Sequence, residues 1–493
     1  MKDIPDPPDP HIAEHHLFSR LGKTILFNCE TMLFYEVTPV VSDLVSLLSQ
    51  ESPPEDPVRL LQAKYAEEEI KKAVYSLRQE QFLRDTAPPK PSLVKRRGIR
   101  HLELMLTHEC NMRCRYCYGV QGDGDWQDAP YLYGAHSKGM SFETARLGVD
   151  FLFAASGPQK KLSVIFFGGE PLLELDLMGR IARYVRQREG ETGKTARLSL
   201  STNGLLLSAE AVAFCERNRI SCQVSMDGER EAHNRNRVLR NGSGSYDAIL
   251  PGVKRLLAAR PGNVSVRATI TRANLDLLHT VRHLHDLGFG SVHAEPAIGP
   301  PDGLNVTADE VPILQEQHEE VARFLVRSAR ENRYFNYTNL VKFIRHTSEV
   351  KERQAHYCGA ARTYLALAQD GSFYPCHRFV GLEEYRMGDL RQGFDDRLQR
   401  TVLNLTVDAR PVCRECWARY LCGGGCWHHA LTTHGTLTTP DSEVSCLITR
   451  HLVECAMAVS SDLQELAKTR LSRMYETSSE PYLVAEHHQQ LED

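Results

Sequence analysis

The sequence predicts an α/β protein whose centre is a partial (β/α)6 TIM-like barrel. Between residues 98 and 305, short β-rich runs alternate with helical stretches, which is typical of right-handed βαβ units around a parallel sheet. Polar and glycine-containing motifs stand at the ends of these runs, where such barrels place their active sites. The fourteen cysteines are also clustered, mainly in residues 110–117 and 358–446.

Six runs are predicted to be the barrel strands: HLELMLT (101–107), LSVIFFGG (162–169), ARLSLSTN (196–203), SCQVSMDG (221–228), VSVRATIT (264–271) and SVHAEPA (291–297). The helices expected between them are FETARLGVDFLFAA (142–155), MGRIARYVRQRE (178–189), AEAVAFCERN (209–218), YDAILPGVKRLLAA (246–259) and LLHTVRHLHDLG (277–288). Because parallel strands end at one edge, the motifs that follow them are expected to surround one site.

The remaining segments are assigned by pattern and composition. We expect a disordered, Pro-rich leader (1–14), a small winged-helix unit with two strands and about three helices (15–86), a linker (87–97), a helical bridge (306–355), a Cys- and Gly-rich domain that needs internal staples (356–456), and a C-terminal helix with a polar tail (457–493).

Composition excludes several classes of protein. A net charge of -4 argues against a broad nucleic-acid interface, and no run of eighteen apolar residues is present to span a membrane. The acidic, Pro-rich N-terminus lacks the apolar core of a secretory signal, so we expect a cytoplasmic protein. Clustered cysteines in a reducing compartment indicate metal binding rather than disulfides.

The first cysteine cluster directly follows the first predicted strand. Three thiolates, Cys110, Cys114 and Cys117, stand within eight residues. Three cysteine ligands leave one iron of a [4Fe–4S] cubane free to bind a cofactor or substrate. A zinc site with His108 as its fourth ligand is the alternative.

This C-x3-C-x2-C motif, with Tyr116 before the last cysteine, resembles the hallmark of radical S-adenosylmethionine (SAM) enzymes. The resemblance implies that the open iron chelates SAM. It also implies that one electron cleaves the sulfonium to give a 5′-deoxyadenosyl radical, which abstracts a substrate hydrogen.

Motifs at later strand ends are similar to the SAM pocket of that family. The resemblance implies that the GGEP motif binds the SAM amino group, that three polar residues bind its ribose or methionine part, and that two arginines neutralise its carboxylate. Asp227 is expected to act as an acid/base or to contact substrate. The SAM-binding residues implied are Tyr116, Gly168, Gly169, Glu170, Pro171, Ser201, Asn203, Ser225, Arg237 and Arg267.

The second group of cysteines resembles the SPASM domain, with two zinc ribbons as the alternative. By resemblance, Cys413, Cys416, Cys422 and Cys446 hold an outer auxiliary [4Fe–4S] cluster, and Cys358, Cys376 and Cys426 hold an inner one. Some family members supply a fourth inner ligand where this chain has Tyr364. The inner cluster therefore has either another ligand or an open site, and the chain is expected to carry three [4Fe–4S] clusters.

Residues 15–456 together resemble peptide maturases such as the SCIFF maturases and the quinohaemoprotein amine dehydrogenase maturase. The resemblance implies thioether cross-links from a Cys sulfur to a carbon of a leader-bearing peptide, with the leader adding a strand to residues 15–86 and flavodoxin or ferredoxin donating electrons. Formylglycine formation, as in sulfatase maturation, is one alternative. A non-catalytic iron–sulfur electron carrier or scaffold is the other.

Overall fold

The computed structural model describes residues 11–84, 98–117, 119, 139–298, 303–347 and 353–476, without the side chains of His11 and residues 464–476. The predicted linker, 87–97, lies outside these residues. Within them, no helix is long and apolar enough to cross a membrane.

The N-terminal unit combines two small sheets with three helices. Its elements are β1 (His11–Ile12), β2 (His15–Arg20), β3 (Lys23–Asn28), β4 (Phe34–Glu36), α1 (Pro39–Leu48), α2 (Pro57–Leu61), α3 (Glu67–Gln79) and β5 (Leu83–Arg84). Strands β2, β3 and β4 form an antiparallel sheet in that order, and β1 pairs with β5. Leu26, Leu44 and Ile70 are among the residues of a separate apolar core between sheet and helices.

Two features of this unit differ from the sequence prediction. Strand β2 was not predicted, because only Leu17 and Phe18 in its sequence HHLFSR are apolar and they do not alternate. The predicted disordered leader, 1–14, is too long at its end: Ile12 pairs with Leu83, and Glu14 forms an ion pair with Arg419. The assignment as a winged-helix unit stays a prediction.

The six predicted strands form the parallel sheet of the barrel in sequence order. They are β6 (His101–Thr107), β7 (Lys161–Gly168), β8 (Thr195–Thr202), β9 (Ile220–Ser225), β10 (Ser265–Ile270) and β11 (Ser291–Pro296). The covering helices are α4 (Phe142–Ala155), α5 (Leu175–Thr192), α6 (Ala209–Arg217), α7 (Arg230–Asn236), α8 (Tyr246–Ala259) and α9 (Leu277–Asp286). The α/β fold with a parallel sheet is confirmed.

Two further strands extend this sheet beyond β6. Strand β12 (Tyr364–Leu367) pairs with β6 in parallel, and β13 (Phe373–Tyr374) pairs with β12. Leu367 packs so tightly against Gly148 of α4 that a Cβ there would lie 2.3 Å from the leucine side chain. The cysteine-rich domain is thereby fused to the barrel through a shared sheet.

The remaining elements follow the barrel strands along the chain. They are α10 (Val311–Arg330), α11 (Thr338–Arg345), β14 (Gly388–Asp389), β15 (Gly393–Phe394), α12 (Arg397–Asn404), α13 (Pro411–Arg414), α14 (Arg419–Cys422), α15 (Trp427–His434) and α16 (Glu443–Glu476). Helix α16 packs on α10 and α11, and its Glu454 pairs with Arg20 of β2. The domain boundary predicted at residue 456 therefore falls inside one continuous helix.

Candidate functional site

One cavity of about 320 Å³ connects the carboxyl end of the barrel with the cysteine-rich domain. Its volume is in the range of small-molecule sites. Eight of the ten cysteines predicted to bind metal line it: Cys110, Cys114, Cys117, Cys358, Cys376, Cys422, Cys426 and Cys446. The two cysteine groups, separated by about half of the chain, thus face a common space.

The loop that carries the first three cysteines is held by the segment after α7. The backbone N–H of Arg113 donates to Val238 O at 2.8 Å, and that of Arg115 donates to Asn236 O at 2.8 Å. The N–H of Cys117 closes a turn on Cys114 O at 3.0 Å. The loop is therefore fixed to the barrel and presents its thiols from a rigid support.

Two glycines at the end of β7 pack closely against the backbone that leads into this loop. A Cβ on Gly168, whose φ is +139°, would lie 2.1 Å from Thr107 O, and a Cβ on Gly169 would lie 2.1 Å from Glu109 O. Both glycines line the cavity, so no side chain separates the backbone from a ligand there.

Glu170 joins two strand ends from behind the cavity. Its fully buried carboxylate accepts hydrogen bonds from Leu172 N (3.1 Å), Thr202 Oγ1 (2.8 Å) and Asn203 N (2.7 Å). Burial raises the pKa of Glu170 to about 7, although these donors act to lower it. Glu170 and Pro171, both predicted to bind SAM, are absent from the cavity lining that the described residues form, whereas Gly168 and Gly169 are part of it. In this geometry the carboxylate of Glu170 holds the ends of β7 and β8 together.

Asn203 connects the end of β8 to the first cysteine. Its Nδ2 donates to Asn111 Oδ1 at 2.8 Å and lies 3.6 Å from Cys110 Sγ. Ser201, Ser225 and Arg267, predicted to contact SAM, all line the cavity. Arg267 lies beside Ser225 in the register of β9 and β10, so these two side chains share the inner face of the sheet.

Asp227 and Arg237 form a buried ion pair beside the cysteine loop. Arg237 Nε lies 3.0 Å from Asp227 Oδ1, and the side chains are 8% and 1% exposed. Asp227 also accepts from Tyr116 Oη at 2.6 Å and from Thr269 N at 2.9 Å. Arg237 Nη1 reaches to 3.9 Å from Cys114 Sγ. Asp227, predicted as an acid/base, thus has both oxygens engaged, and Arg237 points towards a cysteine as well as the cavity.

The second cysteine group is organised by a turn of three glycines between Cys422 and Cys426. Gly423, Gly424 and Gly425 have φ values of +76°, +95° and +76°, and a Cβ on any of them would lie within 2.5 Å of a neighbouring atom. Only glycine suits such left-handed, crowded positions. Cys422 and Cys426, which the resemblance assigns to different clusters, stand at the two ends of this turn, and both line the cavity.

Polar groups surround the three cysteines of the inner set. His377 directly follows Cys376 in the chain. Its Nδ1 donates to Glu103, which is buried within β6, at 2.9 Å. His429 accepts from Arg378 Nη1 at 3.0 Å. Tyr364, which takes the position of a possible fourth ligand, lines the cavity and lies in β12.

The donor set suits iron–sulfur clusters. All fourteen cysteines lie in the described residues and none forms a disulfide. Burial raises the pKa of Cys114 to about 12 and that of Cys422 to about 11, so these thiols need a metal to be held as thiolates at neutral pH. Nowhere in the described ranges do three Cys, His, Asp or Glu side chains converge on a point suited to one ion. Cubane ligands each bind a different iron and therefore lie farther apart.

Comparison with known proteins identifies the class. The model of the radical SAM superfamily matches residues 104–287, which span β6 to α9. The chain therefore carries a radical SAM domain over these residues and is a radical SAM enzyme.

The individual proteins that resemble this chain share a quarter or less of its residues. A cysteine-type anaerobic sulfatase-maturating enzyme of Clostridium novyi is 22% identical over 333 residues, or 64% of this chain and 84% of that protein. An uncharacterised protein of Archaeoglobus fulgidus is 25% identical over 69% of this chain and 77% of its own length. The solved structure of native anSMEcpe with bound AdoMet superposes with a TM-score of 0.62 at 18% identity, over 74% of this chain and 100% of that chain.

Several cavity residues had no signal in the sequence. Gln223 and Thr269 lie on strands where polar residues look like the solvent face, and His377 looks like a spacer beside a cysteine. Lys342 lies on α11, outside every motif. Gln223 and Thr269 reach the cavity because they lie two residues from Ser225 and Arg267 and so share the inner face of their strands. His377 and Lys342 reach it because the cysteine-rich domain and α11 lie against the barrel. Homologous sequences, not this one alone, could reveal them.

Proposed function

We propose that this enzyme is a peptide or protein maturase that joins a Cys sulfur to a carbon of the same substrate by a thioether bond. The observation that carries this proposal is the shared cavity, because a substrate in it would contact the catalytic loop and the auxiliary cysteines together. Joining an S–H and a C–H as C–S removes two protons and two electrons overall. SAM, when bound, is the net two-electron oxidant: one electron would leave with the abstracted hydrogen atom, and the second iron–sulfur region would offer the other electron a path.

Three cysteine sets would hold the iron. Cys110, Cys114 and Cys117 would hold a [4Fe–4S] cluster, with the outer and inner auxiliary sets as predicted from sequence. When bound, the first cluster supplies the open iron and the electron for reductive cleavage of SAM. The auxiliary clusters, their number and the external electron donor, a flavodoxin or ferredoxin, are parts of the proposal, as is a cytoplasmic location.

The chain's own residues would position SAM and shield it. Gly168 and Gly169 expose backbone groups suited to the SAM amino and carboxylate ends. Arg267 and Ser225 present a guanidinium and a hydroxyl on the inner face of the barrel. Asn203 would hydrogen-bond near Cys110, and the cysteine-rich domain would exclude water from the other side.

The N-terminal unit would bind the substrate's leader by strand addition. In the described part of the chain, no strand pairs with the outer side of β4. Asn28 N donates to Leu33 O and Val37 N to Thr24 O, so by antiparallel alternation the backbone groups of Phe34 and Glu36 point outward. An exposed row of this kind can accept an extended peptide.

A proline at the outer edge tests the docking site. Glu36→Pro should weaken binding of a leader peptide because it removes an outward N–H while the pairing of β4 with β3 remains. Glu36→Ala is the matched control, since it also removes the ion pair with Lys23 but keeps the N–H. Equal affinities of the two variants in a titration would exclude strand addition at β4.

Mass analysis of the reacted substrate tests the reaction itself. A thioether product is lighter by two hydrogens per link and retains its sulfur. Formylglycine formation is the second candidate, favoured by the similarity to the sulfatase-maturating enzyme of Clostridium novyi; it would replace the thiol sulfur of a Cys by an aldehyde oxygen. Full consumption of SAM with sulfur lost from the peptide would reject the thioether and select the second reaction.

A further inference from the structure

One buried arginine in the cysteine-rich domain has no acidic partner. Arg410 is 1% exposed and is the largest fully buried side chain of the described residues. Its Nη1 donates to Gly424 O at 2.8 Å, its Nη2 donates to Thr439 O, and its guanidinium lies 4.5 Å from the centre of the Trp427 ring. These partners are neutral, so the contacts within the described chain leave the charge uncompensated.

The Nε of Arg410 is also unpaired. It is buried and has no hydrogen-bond partner among the described residues. Burying an isolated charge and an unpaired donor both destabilise a fold, so such an arrangement persists only when a group of opposite charge or an acceptor compensates it.

The surroundings of Arg410 are the outer set of cysteines. Arg410 directly precedes α13, which carries Cys413, and its hydrogen bond to Gly424 attaches it to the glycine turn after Cys422. Gly424 has no room for a side chain because a Cβ would lie 2.3 Å from Arg410 Nη1. Burial lowers the pKa of Arg410, and the thiols of Cys413 and Cys422 and the carboxylate of Asp441 act in the opposite direction.

The carboxylate of the nearby Asp441 also favours the charged form of Arg410, but in the described part of the chain it forms no ion pair with that arginine. Asp441 accepts from the N–H groups of Cys426 at 3.0 Å and Ser442 at 2.6 Å, and none of the ion pairs within the described ranges joins it to Arg410. Resting on the cluster ligation proposed above, we infer that Arg410 is the internal counter-cation of the outer auxiliary cluster, donates its Nε–H to a cluster or cysteine sulfur, and raises the reduction potential of that cluster.

The direction follows from electrostatics. A reduced cluster carries one more negative charge than an oxidised one, so a fixed cation and a hydrogen bond to sulfur both stabilise the reduced form. Arginine suits this position because it stays charged in an apolar environment and offers donors in several directions.

A redox titration of the full, anaerobically reconstituted chain tests the inference. The outer cluster is identified as the signal lost in C413A/C416A/C422A. Arg410→Gln should lower its midpoint potential, and Arg410→Lys, which keeps the charge but loses the Nε donor, should lower it less. Arg414→Gln is the matched control, because Arg414 follows Cys413 but is 58% exposed and pairs with Glu415. An unchanged potential in Arg410→Gln would overturn the inference.

If the Arg410→Gln variant does not retain its cluster, the inference is tested by measuring the effect of a second substitution on Tm in two backgrounds. In the C413A/C416A/C422A background the counter-charge is gone, so adding Arg410→Met should raise Tm, whereas the same change in the cluster-bearing chain should lower it. An equal decrease in Tm in both backgrounds would contradict the inference that Arg410 compensates the charge of the outer cluster. Iron analysis separates the two proposals: unchanged iron in the triple variant rejects the outer cluster, whereas reduced iron with an unresponsive Arg410 rejects only this inference.

Discussion

The two cysteine regions each enclose a buried arginine, but they neutralise it differently. Arg237, beside the catalytic loop, pairs with Asp227 and is covered by Tyr116. Arg410, beside the outer auxiliary set, donates to two carbonyls and lies against an indole ring, and it forms no ion pair with any residue that the structure describes. The catalytic region therefore balances its own charge without iron, which suits a site whose ligands change at each turnover. If the proposed cluster is bound in the auxiliary region, it would supply the negative charge that Arg410 lacks.

Replacing the predicted cysteine ligands should have the largest effect, and the two cysteine regions should lose different products. C110A/C114A/C117A should abolish formation of 5′-deoxyadenosine, a larger loss than the roughly 10–100-fold typical of removing a residue behind a ligand. C413A/C416A/C422A should still release 5′-deoxyadenosine but should not yield the cross-linked peptide. Chromatography of the nucleoside and mass analysis of the peptide measure both. Loss of nucleoside formation in both variants would mean that the regions do not have separate tasks.

Removing the carboxylate of Asp227 should show how much the ion pair with Arg237 stabilises the protein. Asp227→Asn leaves Arg237 as an unpaired buried cation, so the free energy of unfolding should fall by about 3–5 kcal/mol. Tyr116→Phe, which removes one hydrogen bond to the same carboxylate, should cost only about 1 kcal/mol. Urea unfolding of the two variants gives both values. Similar losses would show that the ion pair does not dominate this region.

A pH dependence should mark the strand-end network of the catalytic region. The folded-state pKa of Glu170, about 7, is above its ordinary value of 4.5, so the native state binds the proton more tightly than the unfolded state. The contribution of Glu170 is therefore complete below pH 4.5 and declines by up to about 3 kcal/mol as pH rises to 7. Glu170→Gln should lack this slope in Tm between pH 5 and 7. A slope identical to that of the parent chain would show that Glu170 does not titrate there.

Much of the fold was predictable because the barrel repeats one local pattern. Each strand from β6 to β11 is an apolar run bounded by a turn, and the boundaries agree with the prediction to within about three residues. Strand β2 was missed because its stability comes from its neighbours: His16 stacks on Trp417 at 3.8 Å, and Arg20 pairs with Glu454. Such long-range contacts leave no periodic signal in six residues.

The site was predictable where a motif carries the chemistry. The cysteine motifs predicted metal-binding regions, and eight of their ten cysteines line one cavity, but the ligand sets that the resemblance implies stay a prediction. Gly168 and Gly169 of the GGEP motif line the same cavity. Roles that depend on pairing were not accessible: nothing in the sequence shows that Asp227 faces Arg237, or that Arg410 lacks an acid. Charge balance inside a protein is a property of the tertiary structure, and it distinguishes these two arginines.

Electron paramagnetic resonance of the reduced, reconstituted chain with and without SAM tests the central claim most directly. We predict several overlapping cluster signals, of which SAM changes one. That change should persist in C413A/C416A/C422A and be absent in C110A/C114A/C117A. A chain that binds zinc in place of iron, or whose spectrum SAM leaves unaltered, would contradict the account.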